Sequence, residues 1–513
     1  MSLLGIDVGT SGVKVILVGE EGEITANLTE EYETSSPRPQ WSEQHPDDWW
    51  DATCRAVRQA LLQSECRPAD LRGIGLSGQM VGLVALDEQG QVIRPCILWN
   101  DQRSAPQTEE LTAQIGQETI LRETSNPLFA TFVAPKLLWM KQNEPDKYER
   151  IHQVLMPKDY IAYRLTGHLG TEVTDASGTC LFNVRERRWS EVMVQAMQIP
   201  AEWFPPCAES DDIAGHVTQG AARETGLAAG TPVVAGAGDQ PAQALGSGIV
   251  RAGLCSVTIG TSGVVFAQGD RHIEHPEGLL HSFCHSVHGA WYLMGVMLSA
   301  GGSFHWLREV LGSVAPLSYE DMTERAAGAA PGCEGLVFLP YLTGERCPHD
   351  DPAARGGFVG LTQRHEVAHL IRAVMEGITY GLCDSVRLMR DLGMEINRVY
   401  ASGGATRSVL WRQMLADIFD TEIVSTNVAE GAAYGAAMLA GVGTRCYANA
   451  TEAAEALIRE TDVVEPDSSA GRIYRDTHEV YRALYPQLRG PFRTLTELAR
   501  GTEETESAGD TDA

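Results

Sequence analysis

Five residues, Gly-Thr-Ser-Gly-Val, occur twice in the chain, at 9–13 and again at 260–264. Glycine lets a backbone approach a ligand closely, and threonine and serine add hydroxyl donors. A turn of this composition can wrap its N–H groups around phosphate oxygens, so two copies suit a phosphate clamp. The copies differ at one place. Asp7 stands two residues before the first turn, and Thr258 holds the matching position before the second. A carboxylate holds Mg²⁺ beside a phosphate well, and a threonine does so poorly. The plainer reading of Asp7-Val-Gly-Thr10-Ser11-Gly-Val-Lys14 is an ordinary hairpin with a lone acid at a strand end. The second copy tells against it, because internal repeats usually report duplicated architecture.

A second carboxylate stands in Gly236-Ala-Gly-Asp239-Gln240, where an apolar run ends. Ligands of open α/β sheets gather at such strand ends. Asp239 is suited to take a proton from a hydroxyl attacking phosphorus. It is equally suited to N-cap a helix beginning near Pro241, and the two roles can coexist. Ser402-Gly403-Gly404-Ala-Thr-Arg-Ser408 reads as a strand, a glycine loop and a helix start, which suits a nucleotide ribose or phosphate. Two further segments, 77–82 and 97–103, lie at predicted strand ends. Gln79, Asn100, Asp101 and Arg103 can hydrogen-bond a polyol there, with Trp99 as a stacking face. Core Trp and Met with surface polar groups is the plainer reading. His152, His285 and His365 have no ligand spacing and read as structural. The chain has neither a GxxxxGK[ST] P-loop nor a protein-kinase catalytic loop, so phosphate transfer here needs another fold.

The elements that must position these residues alternate. Strands are predicted at 3–8 and 13–18, joined by the first turn. A helix follows over Asp47–Leu62, with Pro46 and Asp47 as its start signal. Leu71–Leu76 reads as a buried strand and Val81–Leu86 as another, and Pro232–Ala237 as a third. The plan recurs in the second half, with a hairpin at 254–267, a helix start at Gly301-Gly302-Ser303, a strand at Arg398–Ala401 and a helix through Leu410–Leu415. Ala432–Ala440 is a helix of small residues suited to close packing. The fold class is α/β with a mixed sheet in each half.

At 513 residues the chain exceeds one ordinary core, and a domain boundary is expected near 248. The domains are read as 1–248 and 249–487, followed by a flexible acidic tail at 488–513. The last 13 residues hold five acids and no apolar residue larger than alanine. A net charge of −28 argues against nucleic acid and anionic membranes as partners. The chain carries no run of 18 apolar residues, and its start goes straight into a strand, so a cytoplasmic location is expected. The 11 cysteines are scattered without a CxxC pair, so neither zinc nor disulfides are indicated, and Cys54, Cys66, Cys96 and Cys255 read as small buried residues.

Taken together, these segments resemble the FGGY carbohydrate kinases, within the actin/hexokinase/Hsp70-like ATPase architecture. The likeness runs from residue 3 to about 485. It is carried by Gly5-Ile-Asp7-Val-Gly-Thr10, Ser77-Gly-Gln-Met80, Ile97-Leu-Trp-Asn-Asp101 and Ala134-Pro-Lys136-Leu-Leu-Trp139. Thr174-Asp175-Ala-Ser-Gly178, Gly238-Asp-Gln240, Pro340–Arg346 with Asp351–Gly356, and Gly403-Gly404 with Trp411–Met414 complete it. The resemblance implies two ribonuclease-H-like domains flanking a deep cleft, with sugar on the N-terminal side and nucleotide on the C-terminal side. It implies Asp239 as catalytic base and Asp7 as the carboxylate for Mg²⁺ and ATP. Thr10 and Thr261 match the phosphate-turn threonines, flanked by Ser11, Lys14 and Gly260. Gly301, His305, Gly403, Gly404 and Ser408 fall where the family lines its nucleotide site. Gln79, Met80, Val81, Trp99, Asn100, Asp239 and Gln240 fall at the sugar site.

The pattern is most similar to that of the xylulose-phosphorylating members. This implies ATP-dependent conversion of D-xylulose to D-xylulose 5-phosphate. Those members resemble Ser-Gly-Gln-Met-His-Gly, and Val81 stands here in place of the histidine. Losing that partner to a sugar hydroxyl costs on the order of 1 kcal/mol or more. Another ketose or a polyol such as erythritol is therefore the alternative acceptor. An ATPase of the Hsp70 or actin kind is the alternative of a different class. The family's first signature has Ser or Thr three residues before the lysine, and Val133 stands there. Sugar and ATP are the expected partners, and the oligomeric state is left open, a homodimer included.

Overall fold

The computed structural model describes residues 2–313, 316–428 and 430–509. It forms two compact units. The first comprises 1–252, 268–293 and 426–459, and the second 253–267, 294–425 and 460–513. The first crossing lies close to the expected boundary at 248. Two later segments return to the first unit, an exchange that composition alone does not announce.

In the first unit, β1 (Ser2–Val8), β2 (Gly12–Val18) and β3 (Ile24–Glu31) form an antiparallel meander. β4 (Leu71–Gly78) lies parallel to β1 and places Ser77 beside Asp7. β5 (Ile213–His216), β6 (Pro232–Val234) and β7 (Ala237–Gly238) extend the sheet past β4. Side chains alternate between the faces of a strand. Leu4, Ile6 and Val8 therefore pack with Trp49, Ala56 and Val57 of α1 (Pro46–Gln63). Leu3, Ile16 and Val18 face the opposite way, onto Ala433, Ala437 and Ala440 of the helix Gly431–Gly443.

That small-residue helix lies against backbone. A Cβ on Gly75 would come within 1.7 Å of Ala436 O, and one on Gly435 within 1.9 Å of Ala242 O. Ala242 belongs to α2 (Asp239–Gly246), so α2 is held against the same helix.

Two predicted strands are shortened, and each break has a cause. Pro232–Ala237 divides into β6 and β7 at Gly236, whose φ of 82° and close approach to Leu76 O exclude any side chain. Val81–Leu86 retains strand only over Val84–Leu86, because Val81 turns to a φ of 56°.

The second unit repeats the opening. β8 (Gly253–Ile259) and β9 (Gly263–Gly269) are antiparallel, and β10 (Ile396–Ser402) runs parallel to β8 with Ser402 beside Thr258. β11 (Glu422–Thr426) and β12 (Glu460–Val464) complete that side of the sheet. α3 (Gly301–Gly312) starts where predicted. The helix Ser468–Gly509 runs through 488–509, the segment expected as a flexible tail, and residues 510–513 lie outside the described residues. Packing continues past 487: Phe492 is buried and Thr496 donates to Ala353 O at 3.3 Å. All 11 cysteines are free thiols; Cys54, Cys96 and Cys255 are buried, while Cys66 is only partly so. Among the described residues no helix is long and apolar enough to cross a membrane.

Candidate active site

Asp7 lies on β1, flanked in register by Lys14 on β2 and Ser77 on β4. Its Oδ1 is buried without a hydrogen-bond partner. Burial pushes the carboxyl up to about 6, against the opposing pull of Ser77 and Lys14. Lys14 itself reaches Glu430, which also accepts from Asn27 Nδ2 at 3.0 Å. The expected phosphate-facing lysine is thus held in an ion pair.

Asp239 opens α2. The N-cap is Gly238 and no side chain closes the cap, so Asp239 is not the capping residue. The helix begins before the expected Pro241, and the carboxylate accepts hydrogen bonds from Gln240. Burial pushes Asp239 up to about 7, and the Asp7 charge adds to the shift. A carboxyl poised near neutrality has the proton affinity a general base needs.

The backbone under Asp239 is fixed by groups that motif reading did not assign. Gly238 pairs with Gly78 on β4, and its N–H donates to Thr174 Oγ1 at 2.8 Å. The Thr174 hydroxyl donates to Glu172 Oε1 at 2.7 Å, and Ser210 Oγ donates to Glu172 Oε2 at 2.9 Å. Behind them Lys158 Nζ stands 2.6 Å from Asp159, 3.2 Å from Glu172 and 3.1 Å from Asp175. All four side chains are buried. Burial disfavours the ammonium, yet three carboxylates hold Lys158 well above its usual value. Burial likewise drives Asp175 well above the carboxylate range.

The first turn is tied to the 77–103 segments. Trp99 Nε1 donates to Thr10 Oγ1 at 2.9 Å, and the indole is 46% exposed, free to present a face. Gln79 is 1% exposed, and its Nε2 donates to Gln44 Oε1 at 3.0 Å. Gln44 in turn donates to Thr10 O at 2.7 Å. Gln79, expected at the sugar, therefore supports the turn, and Gln44 is an unforeseen part of it. Asp101 and Arg103 also depart from the polyol reading. Arg103 Nη2 meets Asp101 Oδ2 at 2.7 Å, and its guanidinium lies over the Trp41 ring at 3.7 Å. Asn100 and Ser11 are exposed, and Gln240 is half-buried beside Asp239.

Met80 and Val81 are fitted against two glycines. A Cβ on Gly238 would lie 2.5 Å from Met80 Cγ, and one on Gly178 would lie 2.5 Å from Val81 Cγ1. A β-branched residue at φ 56° is an outlier that costs about 1–3 kcal/mol and persists only where its surroundings hold it.

In the second unit the turn at 260–262 is exposed. Gly260 O accepts from Gly301 N at 2.8 Å, and Thr261 O accepts from Gly302 N at 2.9 Å. The first amides of α3 therefore bind the turn and are not directed at a ligand. Gly403 has a φ of 96° and would place a Cβ 2.3 Å from Ile259 O, whereas Gly404 has open space beside it. Ser408 caps the helix Val409–Phe419, accepting from Trp411 N at 3.4 Å. His305 is exposed and meets Tyr319 Oη at 2.9 Å through Nδ1. His285, read as structural, is buried and held at about 3 by that burial. Glu345 had no assigned role. It is buried, accepts from Leu298 N at 3.0 Å and Arg346 N at 2.7 Å, and is pushed by burial up to about 8.

Comparison with known proteins adds a consistent set of likenesses. Residues 2–246 match the N-terminal domain model, and 255–444 the C-terminal domain model, of the FGGY family of carbohydrate kinases. A xylulose kinase from Escherichia coli (strain K12) is 41% identical over 487 residues, covering 94% of this chain and 99% of the relative. A xylulose kinase from Bacillus subtilis (strain 168) is 37% identical over 484 residues, covering 94% and 96%. Among solved structures, a xylulose kinase from Rhodospirillum rubrum superimposes with a TM-score of 0.91 at 30% identity, covering 96% of this chain and 100% of that one.

Proposed function

The chain belongs to the FGGY family of carbohydrate kinases, and on that footing we propose that it transfers the γ-phosphoryl group of ATP to D-xylulose, giving D-xylulose 5-phosphate. The acceptor follows the names of the relatives. The chemistry rests on one observation: Asp239 stands at the first position of α2, uncapped, with its carboxyl raised to about 7.

In the proposed step Asp239 takes the proton of the accepting hydroxyl. The oxygen attacks the γ-phosphorus, the bond to the β-phosphate oxygen breaks, and ADP leaves. Met80, Trp99, Asn100 and Gln240 orient the acceptor. The exposed turn at 260–262 and the open side of Gly404 serve the nucleotide.

The residues present fit Mg²⁺. Asp7 offers a hard oxygen donor whose Oδ1 lacks a partner, and Asp239 adds a second carboxylate charge beside it. Among the described residues no group of three His, Cys, Asp or Glu could enclose a metal. Mg²⁺ characteristically keeps waters and phosphate oxygens with only one or two carboxylates, so Asp7 would hold it. When bound, the ion would neutralise charge developing on the phosphates.

Val81 favours a second reading of the acceptor, since an apolar side chain replaces a hydrogen-bonding one. A coupled ADP-release assay over D-xylulose, D-ribulose, L-ribulose and erythritol decides between them. The highest kcat/KM on D-xylulose is expected. A clear preference for another member would transfer the proposal to that acceptor. ATP hydrolysis indifferent to every acceptor would contradict it.

A further inference from the structure

Lys136 is fully buried at 0% exposure, yet among the described residues no carboxylate stands within ion-pair distance of its ammonium. Its ammonium instead donates to three backbone carbonyls: Val81 O at 2.8 Å, Leu98 O at 2.8 Å and Ile97 O at 3.3 Å. An ammonium has three N–H groups, so the donor set is fully used and no part of the side chain is left to meet a substrate. The acceptors belong to two separate chain segments. One carries Met80 and Val81, and the other carries Trp99 and Asn100. Between them Leu83 N donates to Ile97 O at 3.0 Å, so Ile97 O serves both the lysine and the strand bridge.

The carbonyl of Val81 is the telling one. Val81 holds a φ of 56°, a conformation that a β-branched residue does not keep unaided. Its side chain is confined by Gly178, where a Cβ would stand 2.5 Å from Val81 Cγ1, and its carbonyl is confined by Lys136. The residue is thus gripped on both sides.

We propose that Lys136 is a positioning residue for the acceptor: by tying the carbonyls of Val81, Ile97 and Leu98 to one ammonium, it holds segments 80–81 and 98–100 in the single arrangement that binds the sugar. This rests on the reading that those segments face the acceptor.

The test compares Lys136→Met, Gly178→Ala and each of these combined with Val81→Gly, beside Val81→Gly alone. KM is measured for D-xylulose and for ATP separately. Lys136→Met keeps the apolar stem and removes the donors. Gly178→Ala leaves the lysine intact and disturbs Val81 from the other side, so it remains informative if the lysine variant does not fold. Each is expected to raise the D-xylulose KM by about tenfold or more while the ATP KM stays within about twofold. Val81→Gly should recover part of both losses, because glycine holds positive φ without help and removes the clashing methyl. Equal changes in both KM values, or no recovery with Val81→Gly, would overturn the proposal.

Hydrogen exchange at the Leu83 amide supplies a readout that needs no turnover. Faster exchange in Lys136→Met is expected, and unchanged protection would overturn the proposal. An unaltered protein without acceptor-dependent turnover would sink the functional reading instead, and the exchange result would still decide the role of Lys136.

Discussion

The two Gly-Thr-Ser-Gly-Val turns sit in equivalent frames and hold opposite chemistry. Each joins an antiparallel pair, and each first strand has a parallel neighbour. In the first, Asp7 stands beside Ser77; in the second, Thr258 stands beside Ser402. The threonine position is internally settled, with hydroxyl meeting hydroxyl at 2.9 Å. The aspartate position is not, since Oδ1 is buried without a partner and the carboxyl is raised to about 6. A buried polar atom without a hydrogen-bond partner is costly, and proteins tolerate that cost mainly where a ligand or ion completes the site. On the proposed reading, the same backbone is a chemical centre in one unit and a settled cradle in the other. The difference between Asp7 and Thr258 already sets the two copies apart in the sequence, and the structure gives each its neighbours.

Substitutions at matched positions should break or sharpen this contrast. Asp7→Asn keeps the shape and removes the charge, and turnover should fall by about 100-fold or more if Asp7 holds the ion that neutralises the phosphates. Raising Mg²⁺ should not restore it; full activity in Asp7→Asn would erase the asymmetry.

The pH dependence is the next largest effect. Asp239 must be deprotonated to act, so kcat/KM should fall as pH drops through about 7, the value to which burial raises it. Stability should run the other way. Both carboxyls are raised in the fold from the usual 3.8, so between about pH 4 and 7 the native state binds more protons than the unfolded chain. Their contribution is present at low pH and lost as pH rises through 6 to 7. Melting temperature followed from pH 5 to 8 should therefore decline more steeply in the unaltered protein than in Asp239→Asn. Equal slopes would contradict the raised proton affinity.

The smallest effect is expected in the second unit. Thr258→Val removes one hydroxyl pair and should cost on the order of 1 kcal/mol in stability, with kcat changed less than about twofold. A large loss of kcat there would show that the second turn is more than a cradle.

Much of the frame is legible in the residues. Pro46 announces α1, which spans Pro46–Gln63, and the apolar runs at 3–8 and 13–18 announce two strands, which the fold buries on both faces. What local pattern does not reveal is which polar groups the fold consumes. Gln79, Asp101, Arg103 and Lys14 have the chemistry to meet a ligand, yet Gln44, Ser42, Trp41 and Glu430 engage them from elsewhere in the chain. Sequence cannot count hydrogen bonds made over such separations. Nor does it show that Gly238, not Asp239, caps α2, because that depends on Thr174 holding the Gly238 amide. Lys136 and the Lys158 cluster are hidden for a similar reason: a lysine reads as surface until burial is known.

The central claim is that Asp239 is the base for transfer to a sugar hydroxyl. Asp239→Asn, with ATP affinity measured by calorimetry and D-xylulose-dependent ADP release measured in parallel, tests it most directly. The account predicts ATP affinity within about twofold and acceptor-dependent turnover reduced by about 100-fold to 10,000-fold, the range for loss of a general base. Turnover near that of the unaltered protein, with ATP bound as before, would contradict it.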